Sequence, residues 1–322
     1  MPAFTATAPG KIILFGEHAV VYGRPAIAVP VSQVRARAVV IAEPRWPAGK
    51  VWVQAPDIGL NSPLDDLPDN HPLYQAIHGV LMELRLERSP ACRVRITSTI
   101  PVAAGMGSGA AVSVAIMRAY SAFLGRPLSA ERVSALTYEV EKLHHGTPSG
   151  IDNTVITHAR PVYFVRGQPI QAIQLPVPFS MVIGDTGVSS PTAIAVGDVR
   201  CAWQADPAGY EAVFDAIGEI VQAARQALER GETAALGPLM DENHDQLCRL
   251  GVSSPELERL VGAARAAGAL GAKLSGGGRG GNMIALVDSD TAEGVVQTLL
   301  QSGARQVITT LVRQPGGTEP YA

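Results

Sequence analysis

Between residues 93 and 125 a strand pattern, a glycine loop and a helix pattern follow one another without interruption, and this succession restricts the fold more than any other feature of the chain. RVRITST (93–99) alternates apolar and polar residues with period two, as a strand with one buried face does. PVAAGMG follows, and SGAAVSVAIMRAYSAFLG then carries the alanines and apolar spacing of a helix beginning near Ser108. Alternation of helix and strand patterns along the chain predicts a layered α+β arrangement around sheets. At this junction the free amides and dipole of the helix N-terminus face the loop, and Gly105, Gly107 and Gly109 let backbone approach a phosphate closely, with the Ser108 hydroxyl beside them. The spacing matches neither the Walker A nor the full Rossmann fingerprint, and a close-packed turn would explain the glycines as readily.

Three further segments have the same character. KLHHGTPSGIDN (142–153) ends a helical pattern with glycines, a proline, hydroxyls and an acid; with Glu141 just upstream, two carboxylates, Glu141 and Asp152, flank the turn. One suits a metal and the other a proton. KLSGGGRGGN (273–282) places five glycines between two apolar strands, more than a hairpin needs, so close approach to a ligand explains it better. In APGKIILFGEHAVVYG (8–23), Lys11 opens an apolar strand and Glu17 and His18 follow its end, where polar side chains line clefts or simply cap a surface turn. Only four of the 26 basic residues are lysines, Lys11, Lys50, Lys142 and Lys273, and all but Lys50 lie in or beside these segments, which suggests a need for compact ammonium groups. His144 and His145 complete no zinc pattern and suit a cap or packing role at a helix C-terminus.

A net charge of −3 argues against a nucleic-acid footprint and gives no overall attraction for an anion, so any phosphate site must rely on local groups. Cys92, Cys201 and Cys248 are odd in number and far apart, which indicates neither a disulfide framework nor a zinc module and fits a reducing cytoplasm. No leader pattern opens the chain and no apolar run reaches membrane length, so no membrane association is expected. The 322 residues are enough for two domains. KIILF, AIAVPV and RARAVVIA read as strands, residues 43–72 as irregular loops with a short strand at 51–54, and a helix is expected from about Leu73. A helix over 130–145 puts Glu141 near its C-terminal end and Asp152 in the loop beyond. A strand at MVIGD starts the second domain, followed by helices near 210–230, 234–250 and 255–267, the late glycine segment, a helix from about Thr291 and the strand QVITTLV.

Together these segments resemble the GHMP kinase superfamily, and within it the mevalonate kinase family. GEHAVVYG, PVAAGMGSGAA, EKLHHGTPSGIDN and KLSGGGRGGN occur in the family's order across nearly the whole chain, with DTGVSSPT and MDENHDQLCRLGVSSPEL between the last two. The resemblance implies a two-domain fold, residues 1–178 like ribosomal protein S5 domain 2 and 179–322 ferredoxin-like, with ATP held in the cleft between them. It implies transfer of the ATP γ-phosphoryl group to the 5-hydroxyl of mevalonate, with Mg2+ as metal, a small-molecule substrate, and compatibility with a homodimer. By motif position, Asp152 becomes the acid-base residue, Lys11 its cationic partner and Glu141, with Ser108, the metal ligands. Gly105, Met106, Gly107, Ser108, Gly109 and Ala110 would cradle ATP, while Glu17, His18, Ser149, Gly150, Thr192, Gly276, Gly277 and Gly278 would surround the substrate. Phosphoryl transfer needs just such charge neutralisation and positioning.

The chain departs from the family pattern at Gly109, where a second serine is usual, at Ala103 and Gly277, and at Arg279, which replaces a glycine and offers either a phosphate contact or a solvent-facing charge. Asn282 stands where cysteine is common. Related kinases of phosphomevalonate, of the 3-hydroxyl or of another small alcohol, and a silent metabolite sensor of the same fold, are the competing readings.

Overall fold

The structure, a computed structural model, describes residues 3–101, 105–145, 148–189 and 192–314, without the side chains of residues 144 and 145. Ala103 and the Gly146-Thr147 part of the second glycine segment therefore lie outside the described residues.

Strands β1 (Ala3–Phe15) and β2 (Ala26–Ala42) form a long antiparallel pair with register shifts at Pro9/Gly10 and Ile13/Phe15. The two strand patterns read around Pro30 are thus one continuous strand, its proline among the pairs with β1. β3 (Val51–Ala55) and β4 (Leu60–Pro63) occupy the stretch expected to be mostly loop, and helix α1 (Pro72–Glu83) begins where its pattern does. β5 (Cys92–Ser98), α2 (Ser108–Phe123) and α3 (Ala130–His145) match their expected positions. A short helix α4 (Ile151–His158), then β6 (Val162–Phe164) and β7 (Gln171–Ala172), complete this half. The sheet runs β4-β3-β5-β2-β6-β7, with β1 also on β2; β3 and β5 are parallel and the other pairs antiparallel.

The second half holds β8 (Phe179–Asp185), α5 (Thr192–Ala205), α6 (Pro207–Arg230), α7 (Leu236–Arg249), α8 (Pro255–Ala266), β9 (Gly271–Ser275), β10 (Asn282–Val287), α9 (Ala292–Gln301) and β11 (Gln306–Val312). Its strands form an antiparallel sheet in the order β11-β8-β10-β9. Helix ends obey local chemistry. Asp206 caps α6 by accepting from the Gly209 amide at 3.1 Å, with Pro207 at the first position and Gly231 left-handed at the far end. Ser254 and Pro255 open α8 the same way.

Helix α2 is the central support of the first half. Ala110, Ala111, Val114, Ala115, Ile116 and Met117 are fully buried between β1, β2 and helices α1 and α3, and the alanines let the helix lie close to the sheet. Each large apolar side chain so buried, such as Ile116 or Ile77, contributes about 1.5–3 kcal/mol. This packing fixes the helix N-terminus against β1, and with it the glycine loop.

Candidate active site

Lys11 on β1 donates its backbone N–H to the Met106 carbonyl at 3.0 Å, so the strand grips the glycine loop directly. Its ammonium, on a side chain only 6% exposed, lies 3.0 Å from Asp152 Oδ1. Gly107 rests on this pair: a Cβ there would meet Ile156 Cδ1 at 2.6 Å, Lys11 Cγ at 3.2 Å and Asp152 Oδ2 at 3.3 Å. With φ at +71° it is also left-handed, so both space and backbone demand glycine. It caps α2 without a side-chain hydrogen bond, leaving the first-turn amides available to an anion beside the ammonium. Ser108 opens the helix half-buried. Met106 and Ala110 turn their side chains into the core, so only their backbone can serve a ligand.

Asp152 lies in the first turn of α4 and not in a loop, which corrects the expectation from sequence. Gly150, at φ +92°, provides the left-handed turn that starts this helix, and the Ser149 hydroxyl accepts the Ile151 amide at 3.3 Å. Glu141 sits buried in the last turn of α3, as expected. Its carboxyl is pushed up to about 7, first by burial and then by the negative charge of Asp152, against the pull of Lys11. Two carboxylates thus share one ammonium. A Cβ on Gly109 would lie 3.3 Å from Glu141 Oε1, so position 109 faces that carboxylate directly.

On the other side, Glu17 and Lys273 form an ion pair with both side chains fully buried, joining the end of β1 to β9. The Ser275 hydroxyl donates to the Ile13 carbonyl at 2.8 Å across the same junction. His18, left-handed at φ +59°, places Nε2 3.0 Å from the Gly277 carbonyl; Nε2 therefore donates and Nδ1 carries the lone pair. Burial lowers its pKa to about 4, which keeps the ring neutral. Glu17 Oε2 and His18 Nδ1 are buried without a partner. Both are acceptors, so this corner of the site suits a ligand that donates hydrogen bonds.

Two family models match the chain, GHMP kinases N terminal domain over residues 73–159 and GHMP kinases C terminal over 224–305. The mevalonate kinase of Pyrococcus horikoshii is 37% identical over 329 residues, covering 96% of each chain. L. major mevalonate kinase, solved in complex with R-mevalonate, superposes with a TM-score of 0.84 at 31% identity, over 98% of this chain and 97% of that one. The chain belongs to the mevalonate kinase family of GHMP kinases. A member of this family is an ATP-using enzyme acting on a small molecule. Streptococcus pneumoniae phosphomevalonate kinase, solved with phosphomevalonate and AMPPNP, shares the fold at 17% identity and a TM-score of 0.79, over 96% of this chain and all of that one.

Within this GHMP kinase, the late glycine segment divides in two. Gly276 and Gly277 are half-exposed near His18, and a Cβ on Gly277 would come within 3.0 Å of Thr192 Oγ1, so Thr192 at the start of α5 is brought to the loop. Gly278 is buried against the Val252 carbonyl, and Gly280 and Gly281 against Val188, with the Gly281 amide donating to the Val188 carbonyl at 2.9 Å. These three hold the loop's shape. Arg279 is exposed, as one of its two expected roles required, and its guanidinium pairs with Asp198 on α5. Lys142 also stands apart, paired at 2.7 Å with Glu139 on its own helix, and Lys50 lies over the Trp46 and Trp52 rings. Sequence reasoning misses helix α5 and the partners Ser275 and Asp198, and it marks Lys273 through the lysine pattern without its partner Glu17.

Proposed function

We propose that this chain transfers the γ-phosphoryl group of ATP to the 5-hydroxyl of mevalonate, giving 5-phosphomevalonate and ADP. The observation that carries the reading is the Lys11–Asp152 pair, 3.0 Å apart directly under Gly107 and beside Glu141. The ATP phosphates would lie on the amides of the glycine loop and the first turn of α2, from Gly105 to Ala110, where the helix dipole favours anions. Asp152 accepts the proton of the acceptor hydroxyl as its oxygen attacks the γ-phosphorus and the bond to ADP breaks. Lys11, paired with Asp152 at 3.0 Å, orients that side chain and offsets charge on the transferring group.

Glu141, with the Ser108 hydroxyl, would hold Mg2+. The donor set fits: Glu141 lies close enough to Asp152 for their repulsion to raise its pKa, and a hard cation would relieve the excess negative charge. When bound, magnesium would neutralise phosphate charge during transfer. Glu17 and His18 present two buried acceptors to hydroxyl donors, and mevalonate carries two hydroxyls; Ser149, Gly150, Thr192 and Gly276 to Gly278 complete the proposed surroundings.

The same reading assigns residues 1–178 and 179–322 to two domains, a boundary supported by the start of the second sheet at Phe179. Among the described residues no helix is long and apolar enough to cross a membrane, and the three cysteines are unpaired, which supports a cytoplasmic location. The test is ATP consumption by purified protein with magnesium and mevalonate, phosphomevalonate, homoserine or galactose. Mevalonate should give the highest turnover. Faster transfer to phosphomevalonate, or nucleotide binding with no turnover on any alcohol, would overturn the proposal.

A further inference from the structure

The pair between Glu17 and Lys273 is costly to bury, since both side chains are fully enclosed, and an apolar pair of similar volume would serve the fold as well or better. Its geometry indicates another use. Lys273 lies in the middle of β9, opposite Ile284 of β10, and its ammonium donates both to Glu17 Oε1 and to the Leu274 carbonyl, the latter at 2.7 Å. Glu17 follows the left-handed Gly16, where a Cβ would meet Ala26 Cα at 2.6 Å, so the chain is pinned as it delivers the carboxylate. One carboxylate oxygen is taken by Lys273 and the other, Oε2, is buried and unpartnered.

We infer that Lys273 is a positioning residue for the acceptor alcohol: it holds Glu17 ionised and oriented so that Oε2 accepts a hydrogen bond from a substrate hydroxyl. This rests on the proposed reading that Glu17 borders the acceptor. Among the described residues, Lys273 is the cation paired with Glu17. His18 beside it is neutral, His244 on α7 is buried with its pKa lowered, and Arg279 is engaged by Asp198. Burial alone pushes the Glu17 carboxyl up, and the attraction of Lys273 opposes that rise. Removing the ammonium takes away the largest opposition to burial and shifts Glu17 toward the protonated form, which turns the free acceptor into a donor and which raising the pH reverses.

The test is steady-state kinetics of Lys273→Met, Glu17→Gln and the double variant, with ATP and mevalonate varied separately at about pH 6, 7.5 and 9. Lys273→Met should raise KM for mevalonate by at least about tenfold and leave KM for ATP within about twofold, with the defect shrinking toward pH 9. The double variant should match Glu17→Gln within about twofold, because Lys273 acts through Glu17. Equal losses for both substrates without pH rescue would mean a structural strut and would overturn the inference. So would a double variant about tenfold worse than Glu17→Gln, a comparison that also decides the matter if Lys273→Met alone does not fold, since the double variant buries no charge. If Glu17→Gln leaves KM for mevalonate unchanged, the reading of Glu17 fails; if it is impaired while Lys273→Met is not, the inference about Lys273 fails alone.

Discussion

At about pH 8 and without divalent cations, Glu141→Gln should be more stable than the wild-type protein by about 3 kcal/mol. The figure follows from the position of the side chain. Burial and the neighbouring Asp152 raise the Glu141 carboxyl from 4.5 to about 7, and at about 1.4 kcal/mol per pH unit this amounts to about 3 kcal/mol. Between these two values the folded protein keeps a proton that the unfolded chain has released, so stability falls as pH rises through the window. The full penalty is present above pH 7 and absent well below 4.5. Glutamine cannot ionise and escapes it. Urea unfolding of both proteins at about pH 8 and about pH 5 measures the difference, which should shrink below about 1 kcal/mol at the lower pH. Magnesium at the higher pH should stabilise the wild type and leave the variant unmoved. A variant no more stable at pH 8, or an advantage unchanged at pH 5, would refute the electrostatic account of this residue.

Asp152→Asn keeps the side-chain shape but loses the charge facing Lys11; turnover should fall by about 10²–10⁴-fold, with nucleotide affinity, measured by calorimetry, within about threefold of wild type. Gly109→Ser puts a hydroxyl-bearing carbon 3.3 Å from Glu141 Oε1, and the magnesium concentration for half-maximal activity should drop by several-fold in a metal titration. Arg279→Ala removes a partly exposed pair with Asp198; stability by thermal unfolding should change by less than about 1 kcal/mol and turnover should stay within about twofold.

Local pattern made much of this molecule legible. The β5-loop-α2 unit could be read because strand alternation, glycines and helix spacing all act over a few residues, and Glu141 and Gly107 are found where those patterns put them, whereas Lys11, read as opening a strand, lies well inside β1. Helix α4 escaped because its eight residues follow a glycine and proline segment, and the left-handed Gly150 that starts it reads as loop. Helix α5 was hidden by the serines and proline before it and by Gly197 within it. The Lys273–Glu17 and Arg279–Asp198 pairs are matters of tertiary placement, 256 and 81 residues apart, and no spacing rule reaches so far. Gly278, Gly280 and Gly281 are ambiguous in sequence for a related reason: glycine is needed equally where a backbone meets a ligand and where it meets another backbone, and their close approach to Val252 and Val188 emerges only from the fold.

The most direct test of the central claim is the phosphorus NMR spectrum of the product formed from ATP and mevalonate. Transfer to the primary 5-hydroxyl places phosphorus beside a methylene group, and the product resonance should be a triplet that collapses on proton decoupling. A product singlet without proton coupling would put the phosphate on the tertiary 3-hydroxyl and contradict the account.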